Sequence, residues 1–200
     1  MQLIRRLSTT IALIMVASVA HGIAFCDLRD PTQQIYELYP QATSYRSLVD
    51  EIDQGVKQNV SSTLPFDLHA RELGKHTLYV ALQDDQPVGL VHVRSEASRW
   101  GLIEIVWSLD LDLKVQDFRF QRCRDRGCQS LSQGEFSALL KGKSLAELKT
   151  EFGADAERSN DQLEAAVGTH GVLANAVLKS AMKTLLITDL VWGQEIAAVN

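Results

Sequence analysis

Hydrophobic and polar positions alternate most sharply between Leu102 and Asp110, where Ile103, Ile105, Trp107 and Leu109 interleave with Glu104, Val106, Ser108 and Asp110. A period of two places successive side chains on opposite faces, so this run predicts a strand with one face on a core. Asp110-Leu111-Asp112 supplies a turn, and Val115 to Phe120 is a second β-rich run, which makes the pair an antiparallel hairpin. Thr77 to Leu82 and Val88 to Val93, joined by the turn formers Gln83 to Pro87, predict two further strands. The expected sheet is an antiparallel meander of about four strands, and His92 within it reads as an ordinary sheet residue.

Helical spacing flanks this sheet on both sides. Thr32 opens a short helix with Ile35, Leu38 and Tyr39 on one face, stopped by Pro40. Ser44 can cap a longer one in which Tyr45, Leu48, Val49, Ile52, Val56 and Val60 recur at three- and four-residue steps. After the sheet, Ser132 to Leu140 is predicted helical, Ser144 to Glu147 has the spacing of a capping box, and Gly153 to Asn160 reads as a loop. A last helix over about Val172 to Leu190 carries Val177, Leu178, Ala181, Met182, Leu185 and Leu186 inward and Asn175, Lys179 and Lys183 as a wet stripe. The fold class is therefore α+β, with a helical segment over 25–75 ahead of an α+β domain over 76–192.

Residues 1–24 change the picture of where this chain works. Arg5 and Arg6 precede an apolar run from Ile11 to Ala20, and Ser18-Val19-Ala20 and Gly22-Ile23-Ala24 both offer a small-x-small cleavage site. The run is shorter than the roughly 20 residues that a bilayer needs. A cleaved signal peptide and a periplasmic location are expected, with at most peripheral membrane contact. Losing Arg5 and Arg6 takes the formal charge from −5 to −7. An acidic chain has no global attraction for nucleic acid, so any anion site must be local.

Cys123 and Cys128 stand close together in a chain bound for an oxidising compartment, and a disulfide is the first reading of the pair, with Cys26 left as the odd thiol. The stretch around them is basic, with Arg122 just ahead of Cys123 and Arg124 and Arg126 between the cysteines. It either only closes the hairpin or forms a rim facing an anionic ligand. Val167-Gly168-Thr169-His170-Gly171 precedes the last helix and combines two glycines, a hydroxyl and an imidazole. That suits a phosphate at a helix N-terminus, while a plain flexing loop has the same composition. No glycine-flanked nucleophile elbow and no His/Glu/His metal run occurs.

Trp100-Gly101-Leu102-Ile103-Glu104-Ile105, Asp110 to Val115, Phe136 to Lys143 and Gly168 to Lys179 occur in an order that resembles the FMN-binding domains of Rnf-type and sodium-translocating NADH:quinone reductase complexes. The resemblance covers roughly 76–190. It implies an exported electron carrier or redox accessory protein rather than a self-contained enzyme. Its partner would be a redox protein or a membrane electron-transport complex. In that family a Ser-Gly-Ala-Thr segment attaches FMN through its threonine. Here Gly168-Thr169-His170-Gly171 stands in its place, and Cys123 to Cys128 replaces the family's Glu-Thr-Pro-Gly turn. FMN is accordingly expected to be non-covalent, with its phosphate at Gly168 to Gly171, charge from Arg122 or Arg124, and Trp100 beside Gly101 available to stack. The alternative is a flavin-free interaction module that uses the cysteine-closed tip for a partner protein.

Overall fold

The structure, a computed structural model, describes residues 29–198. The expected signal peptide over 1–24 and Cys26 lie outside the described residues. The elements run α1 (Thr32–Leu38), β1 (Ser44–Ile52), α2 (Gln54–Thr63), β2 (Gly74–Gln83), β3 (Gln86–Ser98), β4 (Gly101–Leu109), β5 (Val115–Arg122), α3 (Cys128–Gln133), α4 (Glu135–Leu140), α5 (Leu145–Phe152), α6 (Asp161–Val167) and α7 (Gly171–Ala197), with single 3-10 turns at Ala70–Glu72 and Gly168–His170. The fold is α+β, an antiparallel meander with helices before and after it, in the strand order β1-β2-β3-β4-β5.

The sheet has five strands because Ser44 to Ile52 is not helical. These nine residues pair with β2 from Ser44↔Leu82 to Ile52↔Gly74. The helix begins only after them, where the Asp53 carboxylate accepts from the Val56 amide at 2.8 Å, so that Asp53 and not Ser44 is the N-cap. Because β1 is an edge strand whose apolar positions are only partly covered, with Val49 61% exposed, its pattern lacks the clean alternation of β4.

The 27-residue α7 is the spine of the larger core. Leu78, Val80, Leu90, Ile103, Ile105, Trp107 and Phe118 from one face of the sheet pack with Val177, Leu178, Ala181, Leu185 and Ile187 from α7, and Ile52, Val60 and Leu64 join the same cluster. Trp107 Nε1 donates to Ser180 Oγ at 3.1 Å, which satisfies a buried donor and fixes helix against strand. The opposite face is covered as well. Ile35 of α1 and Tyr39 just after it pack with Ala81, Val91, Val93 and Val106, so Glu104 and Ser108, alternate positions on β4, are buried and not solvated.

The predicted helix over 132–140 is two short ones that meet at Gly134, where a Cβ would strike the Ser130 carbonyl oxygen. The capping box at α5 is present, with Ser144 N donating to Glu147 Oε2 at 2.8 Å. Lys183 requires a correction. It is not on a wet stripe: only 4% of it is exposed, and its Nζ lies 2.5 Å from Glu96 Oε2 and 3.3 Å from Glu72 Oε1. Among the described residues no helix is long and apolar enough to cross a membrane.

Candidate functional site

Three connections at one end of the sheet meet around an open cleft of about 560 Å³, lined by Arg99, Trp100, Arg124, Asp125, Arg126, Thr169, His170, Val172 and Leu173. The first wall is the turn between β3 and β4. It is closed by Gly101 at φ +105°, a conformation that L side chains avoid, and by Ser98 Oγ donating to the Gly101 carbonyl at 3.0 Å. This turn holds Trp100 out from the sheet, 58% exposed, with the Arg99 guanidinium 5.3 Å from the centre of its ring.

The second wall is the loop from β5 to α3. Cys123 and Cys128 are joined by a disulfide with their Cα atoms 6.3 Å apart, and Arg124, Asp125 and Arg126 lie between them. Asp125 Oδ1 accepts from Gly127 N at 3.0 Å and stands 3.9 Å from His170 Nδ1. The third wall is the 3-10 turn at Gly168–His170 running into α7. No side chain caps α7 and its first turn carries no acidic residue, while the Asp125 carboxylate of the neighbouring loop stands close to its N-cap residue His170. Leu173, 1% exposed, closes the cleft from below, and Val172 is 63% exposed.

Of the residues singled out in the sequence, Trp100, Arg124, Thr169 and His170 come together here. Gly101 shapes the turn. Gly168, at φ +52°, ends α6 and donates its N–H to the Glu164 carbonyl. Gly171 starts α7 and lines a separate, smaller cavity with Ala156 and Asn175. Arg122 turns away to Glu104, with Nη1 to Oε1 at 3.4 Å. Arg126, expected in the basic rim, lines the cleft as well, while Arg99, Asp125, Val172 and Leu173 were not anticipated. Of these, Arg99 carried the one available signal, since it neighbours Trp100. On the other face a cleft of about 480 Å³ near Tyr45, Lys75 and Tyr79 contains none of the expected residues.

A second polar group lies inside the protein, between β3 and α7. Arg94 Nη2 bonds Glu72 Oε1 at 2.7 Å, and Lys183 links Glu72 to Glu96. Burial alone would raise the Glu72 carboxyl, yet Arg94 and Lys183 hold it below the usual value. Burial pushes Glu96 up despite Lys183. His92, fully buried, shares a 2.8 Å hydrogen bond with Thr188 Oγ1 and packs edge-on against Trp192 at 5.2 Å. Burial, then Arg94, pushes His92 well below the ordinary imidazole value, and the same two causes bring His76 to about 4. This cluster is structural in character: its charges face one another. Among the described residues no group of His, Cys, Asp and Glu could hold a metal ion.

The chain matches no family model, and no curated protein matches its sequence.

Proposed function

We propose that the protein is an exported FMN-binding electron carrier or redox accessory, holding the cofactor non-covalently in the cleft between Trp100, the Arg124–Arg126 loop and His170. The observation that carries this reading is convergence: residues chosen from three distant stretches of sequence line one cavity. Its volume of about 560 Å³ lies in the range of small-ligand sites. Arg99, Arg124 and Arg126 offer fork-shaped donors for a phosphate. The exposed Trp100 ring offers a flat apolar surface for an aromatic system. FMN, when bound, supplies one- and two-electron chemistry, while the chain's part is position and electrostatics.

Purified mature protein, titrated with FMN while the flavin fluorescence is followed, tests the reading. Saturable quenching with release of intact FMN on denaturation supports non-covalent binding. Flavin absorbance that stays with the denatured chain would mean covalent attachment instead, and no response at any concentration removes FMN. A second reading is favoured by the rim itself. Trp100 and Val172 are both exposed beside arginines, a composition common at protein interfaces, and colourless protein that ignores FMN would point to the interaction module.

A further inference from the structure

We propose that the Cys123–Cys128 bond is a redox-sensitive lock on the cleft, a regulation that rests on the reading of the cleft as a site for a phosphorylated cofactor. In the unlocking step a small dithiol gives two electrons and two protons. The S–S bond breaks, each sulfur takes one proton, and the dithiol is oxidised to its cyclic disulfide.

Placement is the argument. Cys123 directly follows the last residue of β5 and Cys128 is the first of α3, so both ends of the loop are seated on elements whose Phe118 and Leu131 are fully buried. Between these anchors lie Arg124, Asp125 and Arg126, one third of the cleft's lining residues. Gly127 lies directly against the opposite wall: a Cβ there would sit inside the His170 ring. The loop's hydrogen bonds are Gly127 N to Asp125 Oδ1 at 3.0 Å, Cys128 N to the Asp125 carbonyl at 3.4 Å, and Leu131 N and Ser130 Oγ to the Gly127 carbonyl at 2.9 and 3.0 Å; all of these fall on Asp125 or Gly127 and none on either arginine. The bridge is therefore the covalent constraint on a loop otherwise held at Asp125 and Gly127, and it bounds the segment that carries both arginines. Both cysteines are only partly buried, which leaves the bond open to a small dithiol. Opening it frees the rim while β5 and α3 stay packed.

The test uses the mature chain in a Cys26→Ser background, so that the bridging pair cannot exchange with a third thiol. FMN is titrated into the oxidised form, the dithiothreitol-reduced form and the Cys123→Ser/Cys128→Ser double variant, with far-UV circular dichroism and melting recorded on each. The lock predicts FMN binding in the oxidised form and a loss of about tenfold or more in the other two, the size of one charge-assisted contact, with the fold retained. Equal affinity in all three forms overturns the lock and leaves the cofactor reading standing. Unfolding on reduction also overturns it, because the bridge would then hold the domain and not the rim. No binding in any form removes the cofactor reading and the lock together.

Discussion

Lys183 on α7 reaches Glu96 on β3 inside the protein, Nζ to Oε2 at 2.5 Å, and meets Glu72 on its other side at 3.3 Å. Two carboxylates thus share one ammonium, with Arg94 completing the charge balance at Glu72. Removing one member of such a set leaves a buried charge without its partner, a change that costs about 3–5 kcal/mol. Lys183→Ala is expected to lower the unfolding free energy, read from urea titration, by that much. Lys183→Met with Glu96→Gln should lose clearly less, since both members of that pair are neutralised together. A loss under about 1 kcal/mol for Lys183→Ala would mean the cluster is hydrated and loosely held.

The same interior makes stability fall in mild acid. Burial and Arg94 bring His76 from 6.5 to about 4, and His92 is pushed down by the same causes, with His76 adding to them. The folded chain therefore binds fewer protons than the unfolded chain between about pH 6.5 and 4. Stability is full above 6.5 and declines as the pH drops through that window, by up to about 1.4 kcal/mol per pH unit for each histidine. Glu72, held low, adds a loss below its ordinary 4.5, while Glu96, raised by burial, opposes the trend above that value. Urea unfolding at pH 7.5 and 5 should show the difference, and His76→Phe should reduce it. A flat profile across these pH values would exclude neutral, buried histidines.

What the sequence could and could not reveal follows from which contacts are local. The β4 strand and the α5 capping box are written in neighbouring residues, and both form as their spacing predicts. Ser44 to Ile52 satisfies a helical template equally well, and its strand character comes from pairing with Gly74 to Leu82, a partner the local pattern does not contain. Lys183 shares a helix face with Asn175 and Lys179. Spacing tells which residues share a face, but not that Glu72 and Glu96 will arrive to cover one end of it. The cleft was legible in part, because Trp100, Arg124 and His170 are conspicuous residue types beside glycines or cysteines. Asp125 and Leu173 become part of it only through the way the chain folds.

On the face opposite α7, Tyr39 fills a space that Gly89 leaves open. A Cβ at Gly89 would enter the Tyr39 ring, and the hydroxyl lies 2.5 Å from the Leu109 carbonyl and 3.2 Å from that of Leu90. Burial raises this phenol to about 12, so it remains a donor throughout the accessible pH range. Gly89→Ala is expected to cost about 1–3 kcal/mol through overpacking, and Tyr39→Phe about 1–2 kcal/mol through the lost hydrogen bond. In the Tyr39→Ala background the glycine substitution should cost almost nothing. Equal costs for Gly89→Ala in the two backgrounds would show that the ring is not what the added methyl meets.

The two kinds of contact offered by the cleft can be told apart by salt. Trp100 is 58% exposed and supports no core, so Trp100→Ala should change stability by no more than about 0.5 kcal/mol. Loss of a stacking surface would still weaken FMN binding about tenfold, equally at low and high ionic strength, because stacking involves no net charge. Arg124→Ala removes a cation from the rim and should weaken binding most at low salt, the difference shrinking as the Debye length falls from about 10 Å at 0.1 M to 3 Å at 1 M. Titrations of both variants at two salt concentrations therefore give crossed signatures if phosphate and ring occupy opposite parts of the cleft. No loss in either variant would place any ligand elsewhere on the protein, and losses with the same salt dependence in both would overturn the separation of ring and phosphate within the cleft.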